Sequence, residues 1–316
     1  MSSTSSIAWD EAAEALAFDE RALERVANGH VPDLRRLTAC DWFFNNLWRR
    51  PYLAAYEHGR NLAFAKRHLA GRTVVEIGSG LGHMSLELAR AGFDVTGLEL
   101  SPASVAIAER FRDENPYREG MGSLNYTAAN ALEWSPRWPV DNVCFFGALH
   151  HFEDIPGLLW HVRSMLARGG RLIVVEPARD RLRPQDAAVA VLVRQLLAAT
   201  GAWYEPQAPL TAETLPRAIE DCLGEYREAR DAGEGLQSPH DNAAGSAEML
   251  AALRGEFDEL ACEWGTSLFY RLAGGIRLGD DARHAALAET LHAFDRYAVD
   301  GGLLQPSEFL WAGRLR

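Results

Sequence analysis

Five residues of this 316-residue chain stand where sequence alone can place chemistry: Glu76, Glu99, the pair His150-His151, and Glu176. Glu76 lies two positions ahead of the run Gly78-Ser79-Gly80-Leu81-Gly82. An acid there repels a pyrophosphate but suits a cationic ligand, and the glycines let the chain turn sharply and bring its backbone against that ligand. Glu99 closes the next apolar run, where a carboxylate can accept hydrogen bonds from both hydroxyls of a ribose. These residues together describe a nucleoside site. His150-His151 offers imidazoles that can take a proton near pH 7, or simply two satisfied loop histidines. The pair has no third ligand at a recognisable spacing, so no metal is expected. Glu176 reads either as an acceptor for a substrate amine or hydroxyl, or as a cap for the helix that follows.

Positioning these groups requires strands that end where the chemistry begins. Thr73 to Ile77 is β-branched and apolar on both faces, as in a strand buried in a parallel sheet. Met84, Leu88 and Ala91 then repeat at helical spacing up to Gly92, and Phe93 to Leu98 makes a second strand ending at Glu99. A helix opens at Ser101-Pro102 and runs toward Asn115-Pro116. Leu124 to Ala128 and Val140 to Phe146 are the next strands, the latter delivering Gly147 and the two histidines. Ile155 to Leu166 is a helix, Ala167 to Gly170 a turn, and Arg171 to Val175 the fifth strand, ending at Glu176-Pro177.

The glycines run G-x-G-x-G, with His83 where a dinucleotide fingerprint wants its third glycine, and with an acid before the first. In these features Thr73 to Pro102 resembles the class I S-adenosylmethionine-dependent methyltransferases. The resemblance covers roughly Arg72 to Ala178. It implies S-adenosylmethionine as cofactor, with Glu76, Gly78, Ser79 and Gly80 lining its methionine end and Glu99 and Leu100 holding its ribose. The family usually has an aspartate just beyond the third strand, bonded to the adenine amine; here Asn130 takes that place beside Ala131. Gly147 would complete the cofactor wall, and His150, His151 and Glu176 would form the catalytic group.

The implied fold is α/β: a doubly wound, mostly parallel, seven-stranded Rossmann-like sheet with an amino-terminal helical lid and a helical insertion before the last strands. The boundaries expected are 1–70 for the amino-terminal helices and lid, 71–178 for the cofactor-binding core, 179–256 for the insertion over the substrate, and 257–316 for the last strands with an intervening helix. Trp9 to Ala27 reads as an amphipathic helix with Leu16, Leu23 and Val26 repeating among acids and arginines, a packing or dimer element that leaves a homodimer open. Asp41 to Arg60 is rich in aromatics and reads as a lid. Within it Trp48 is a substrate or lid residue, Tyr52 and Tyr56 could wall a sulfonium by cation–π contact, and Arg60 could meet the methionine carboxylate. Beyond Pro177, helical periods cover Ala187 to Leu197, Leu215 to Tyr226 and Met249 to Phe257, with a loop over Asp231 to Gly245. Asp258 to Trp264 and Glu308 to Leu315 read as strands, and Ala282 to Tyr297 as a helix between them.

The formal charge of -12 argues against nucleic acid as the main partner. No apolar stretch reaches membrane-spanning length and no signal-peptide pattern opens the chain, so a cytoplasmic, small-molecule enzyme is expected. The four cysteines lack C-x-x-C spacing and read as reduced and structural. Methyl transfer by in-line attack of an acceptor atom is the favoured activity. Two alternatives stay open. Some proteins of this look, such as bacterial azetidine-2-carboxylate synthases, use S-adenosylmethionine as sole substrate and release methylthioadenosine. A catalytically silent cofactor-binding subunit is the other, against which the intact glycine turn and both acids weigh.

Overall fold

The computed structural model describes residues 10–40, 47–228, 238–239, 241 and 244–316. Seven strands form one sheet: β1 Thr73–Ile77, β2 Asp94–Glu99, β3 Leu124–Ala128, β4 Val140–Phe146, β5 Leu166–Pro177, β6 Phe257–Trp264 and β7 Glu308–Leu315. Their order is β3-β2-β1-β4-β5-β7-β6. β1 to β5 pair in parallel, and β7 enters antiparallel between β5 and β6. This is the mostly parallel, Rossmann-like sheet that the sequence implied. β5 is longer than expected. Ala167-Arg168-Gly169-Gly170 stays in the strand, and the ladder to β4 absorbs the extra residues by a register shift between Val140 and Asn142.

Ten α-helices are described: α1 Glu11–Ala27, α2 Pro51–His68, α3 His83–Arg90, α4 Pro102–Asp113, α5 Ile155–Met165, α6 Pro184–Ala199, α7 Leu215–Arg227, α8 Ser246–Glu256, α9 Phe269–Gly275 and α10 Asp281–Asp300. Their starts are set by local chemistry. Ser101 Oγ accepts from Ser104 N at 3.0 Å with Pro102 at the first helical position, and Asp154 caps α5 in the same manner through Gly157 N at 2.9 Å.

β1 explains why the sheet needs helices on both faces. Val75 and Ile77 join the apolar cluster with Leu158 and Val162 of α5, whereas Val74 points the other way into a cluster with Leu86, Leu88 and Phe64. α8 adds Leu250 and Leu253 to the α5 side, so it flanks the sheet. α6, α7, α9 and α10 build a separate helical layer around Trp203, Tyr226 and Leu272. α9 had no counterpart in the sequence reading. Cys40, Cys144, Cys222 and Cys262 are all free thiols.

α1 leaves two of its repeating leucines in water: Leu16 and Leu23 are each 58% exposed, while Glu14 and Ala22 are buried. The helix packs Ala22 and Val26 against Ile107 and Phe111 of α4, and Glu14, Phe18, Arg21 and Arg25 line a cavity beside them. Asp19 anchors it by accepting from Ser101 Oγ and from Ala103 N, the latter at 2.9 Å.

Candidate functional site

At the carboxyl ends of β1, β2 and β4 lies a cavity of about 220 Å³. The turn after β1 builds its floor. Gly78 has φ +70, and a Cβ there would sit 2.4 Å from the Ala148 methyl, so only glycine fits. Gly80 has φ +52 and nothing within 4 Å of its Cβ position, which leaves its backbone open to a ligand. Glu99 fixes the turn with both oxygens, accepting from Gly80 N at 2.7 Å and from Ser101 N at 3.0 Å. Glu76 is buried beneath the turn and accepts from Ser85 Oγ. Burial first, and the Glu99 charge second, push its carboxyl up to about 8 against the pull of the Ser85 bond; burial likewise raises Glu99. Two buried acids beside a glycine turn make a site that gains from a cationic nucleoside.

Ser79, Leu100, Asn130, Ala131 and Gly147 also line this cavity. Asn130 is less available than expected, since its Oδ1 already accepts from Leu132 N at 2.9 Å and its Nδ2 donates to Glu11. Trp48 closes the far end among three imidazoles. His30, His58 and His83 surround it at centroid distances of 4.2, 5.2 and 5.6 Å. Desolvation lowers all three, His83 to about 4 and His30 to about 3, so this cluster is neutral.

The turn after β4, Leu149–His151, is held by Glu176 at the end of β5. Glu176 Oε1 accepts from Ala148 N and Leu149 N at 2.8 and 2.6 Å, and Oε2 meets His150 Nδ1 at 2.6 Å. Glu176 therefore caps the β4 turn and not the helix after β5. His150 Nε2 faces Asp241 Oδ1 at 3.3 Å. Burial alone would lower His150, but the Glu176 and Asp241 carboxylates override it and raise it to about 9. His151 behaves oppositely: burial and then the His150 cation lower it. It faces Glu14 Oε1 at 3.4 Å and Ser238 Oγ at 3.2 Å, and lines the cofactor cavity. Asp241 thus supplies the third group that sequence spacing did not show. Ligand atoms of His150, His151 and Asp241 lie within 4.8 Å of one another and could hold a metal ion.

The profile of a family described as "Methyltransferase domain" matches residues 48–213, more than half of the chain. The chain belongs to the class I S-adenosylmethionine-dependent methyltransferase family. Among curated relatives, the ubiquinone biosynthesis O-methyltransferase of Paramagnetospirillum magneticum (strain ATCC 700264 / AMB-1) is 29% identical over 34% of this chain and 47% of its own length. The chain spans about half the length of the curated relatives it matches. Two solved structures share the fold. Magnesium protoporphyrin IX methyltransferase (ChlM) from Synechocystis PCC 6803 aligns over 97% of this chain and 100% of its own, with TM-score 0.52 and 14% identity. The [4+2]-cyclase SpnF aligns over 96% and 94%, with TM-score 0.51 and 16% identity. Likeness at that level speaks of fold alone.

The segment expected to form a lid departs from that reading. Residues 41–46 lie outside the described residues. Tyr52 and Tyr56 do not reach the cofactor cavity; Tyr52 bonds His284 and Tyr56 bonds His292 Nε2 at 2.7 Å, both on α10. Arg60 is an ion-pair partner of Glu308 and donates to Asn61 Oδ1 at 3.1 Å, so it does not meet the cavity either. The α2 face turned inward carries Glu57, His58 and Asn61 instead. These line a second cavity of about 620 Å³. The two cavities share Arg21, Arg25, His83, Met84, Phe146 and Gly147, and His150 and Glu176 stand on the wall of the second. Sequence reasoning also missed Glu14, Phe18, Arg21 and Arg25, which α1 brings to the cofactor cavity. Their spacing of four, three and four residues was the available signal.

Proposed function

We propose that this methyltransferase moves the methyl group of S-adenosylmethionine to a small molecule seated in the second cavity. The observation that carries the reading is the shared wall at His83, Met84, Phe146 and Gly147, with Arg21 and Arg25 of α1 beside it. A cofactor bound on the glycine turn and Glu99 points its reactive end toward that wall, and an acceptor on the other side can approach in line. The chain contributes alignment, a buried acid under the cationic end, and a water-excluding cover from α1 and Trp48. Glu76, Gly78, Gly80 and Glu99 are the cofactor residues in this reading. His151, the imidazole held neutral, is the group that can take the acceptor's proton, and His150 with Glu176 positions the turn that carries it.

The test is incubation of the purified protein with S-adenosylmethionine, alone and with candidate acceptors, followed by mass spectrometry of the nucleosides. Adenosylhomocysteine that forms only with an acceptor present supports methyl transfer. Methylthioadenosine from the cofactor alone overturns it in favour of intramolecular cyclisation, and tight binding without turnover across a broad panel makes the protein a binding subunit.

A further inference from the structure

The second cavity sets many charged and hydroxyl groups among its apolar ones, and Arg21, Glu24 and Arg25 of α1 line it too. Glu57 enters it from α2, Glu308 from β7, and Tyr270 from α9. Glu308 is balanced by Arg60, which also stacks near the Tyr270 ring at 5.8 Å. Arg179 and Arg271 both pair with Glu228 on the same wall. Glu57 has no arginine of its own in this set, and burial, then the Glu308 charge, push it up to about 7. Five residues of the lining carry a buried polar atom without a hydrogen-bond partner among the described residues: His83 Nδ1, Tyr226 Oη, Ser267 Oγ, Tyr270 Oη and Glu308 Oε1. Tyr226 and Ser267 are themselves 2% and 5% exposed. Buried groups in that condition are costly, each on the order of 1–3 kcal/mol, unless a ligand or water satisfies them. An isoprenoid or flat aromatic acceptor would leave them unsatisfied. A molecule rich in hydroxyl and amino groups would not.

We propose that the acceptor is a hydrophilic, ammonium-bearing small molecule whose cationic nitrogen is recognised by Glu57 beside Glu308 and Tyr270. This rests on the methyltransferase reading and deepens it by naming the substrate class. The carboxyl of Glu57 supplies the charge, Tyr270 and Ser267 supply hydrogen bonds, and Arg179 and Arg271 are tied to Glu228 in the same lining. The acidic balance of the chain favours capture of a cation in the same sense.

The experiment saturates the complete chain with S-adenosylhomocysteine, so that the cofactor cavity is filled, and compares matched probes by calorimetry and ligand-observed NMR. The probes are glucosamine, its uncharged counterpart glucose, and a water-soluble dimethoxy hydroquinone. Glucosamine should bind at least about tenfold more tightly than glucose or the quinol, and Glu57→Gln should erase that preference while leaving the adenosylhomocysteine affinity unchanged. Equal binding of the charged and neutral sugars, preference for the quinol, no detectable sugar binding, or a preference that survives Glu57→Gln each overturns the proposal. Failure of adenosylhomocysteine to bind overturns the methyltransferase reading itself, and the two failures are therefore told apart. Tyr270→Phe, which removes one hydroxyl and keeps the ring, should weaken glucosamine several-fold and serves where Glu57→Gln fails to fold.

Discussion

In the ligand-free protein Glu76 is removed from water beside Glu99, and its carboxyl stays protonated up to about pH 8. A sulfonium or ammonium brought into the same cavity favours the carboxylate, so cofactor binding must release that proton. With Glu76 ionised throughout in the complex, the apparent dissociation constant should fall about 25-fold between pH 6.5 and 8.5, with close to one proton released per cofactor at pH 7. Titration calorimetry in two buffers of different ionisation enthalpy counts that proton. The α-amine of the cofactor titrates too, so Glu76→Gln is the comparison: only the difference between the proteins belongs to Glu76. Stability runs the other way. The folded value lies above the ordinary 4.5, so the stabilising contribution is complete below 4.5 and is lost as pH rises through about 8, on the order of 3 kcal/mol by pH 7. Glu76→Gln should therefore melt higher than the parent at pH 8 without ligand, yet bind the cofactor less tightly. Identical pH slopes and identical proton counts in the two proteins would refute the placement of Glu76 under the cationic end.

The other expectations concern the same two cavities. Glu99→Ala removes the acceptor for Gly80 N and Ser101 N along with the ribose contact, and should weaken S-adenosylmethionine at least about a hundredfold by calorimetry; unchanged affinity would undo the placement of β2. Gly80→Ala places its methyl in open space at φ +52 and should cost only about 1 kcal/mol in denaturant melts while abolishing cofactor binding, whereas Gly78→Ala meets the Ala148 methyl and should lose stability first. His151→Ala should lower kcat with cofactor affinity kept, and full activity would make His151 structural. His150→Ala should instead strand the Glu176 carboxylate and cost about 3 kcal/mol or more of stability. Because His150 is raised from 6.5 to about 9, its contribution is complete below 6.5 and fades as pH climbs through 9; chemical denaturation of parent and variant should converge across that window.

What was legible in the sequence was whatever repeats locally. β1, β3, β4 and β7 fall on their predicted spans because each is a short run of strand-forming residues with punctuation at either end, and the glycine turn with Glu76 and Glu99 lies within one βαβ unit. Residues brought in from far along the chain were not legible. Asp241 reaches His150 across ninety positions, and Glu14 reaches His151 across more, with no local pattern to announce either. The α2 segment was read on the wrong face, and α1 shows the reason. A helix over a core buries its apolar stripe, but a helix over a polar ligand turns its polar stripe inward and leaves leucines such as Leu16 and Leu23 in water. α2 repeats the pattern: its tyrosines bond α10, and Glu57, His58 and Asn61 face the cavity. An amphipathic helix flanking a nucleoside site is thus ambiguous by half a turn, and the stripe at i, i+4, i+7 and i+11, mostly but not wholly charged, decides the orientation. In α1 those positions are Glu14, Phe18, Arg21 and Arg25, and all four line the cofactor cavity.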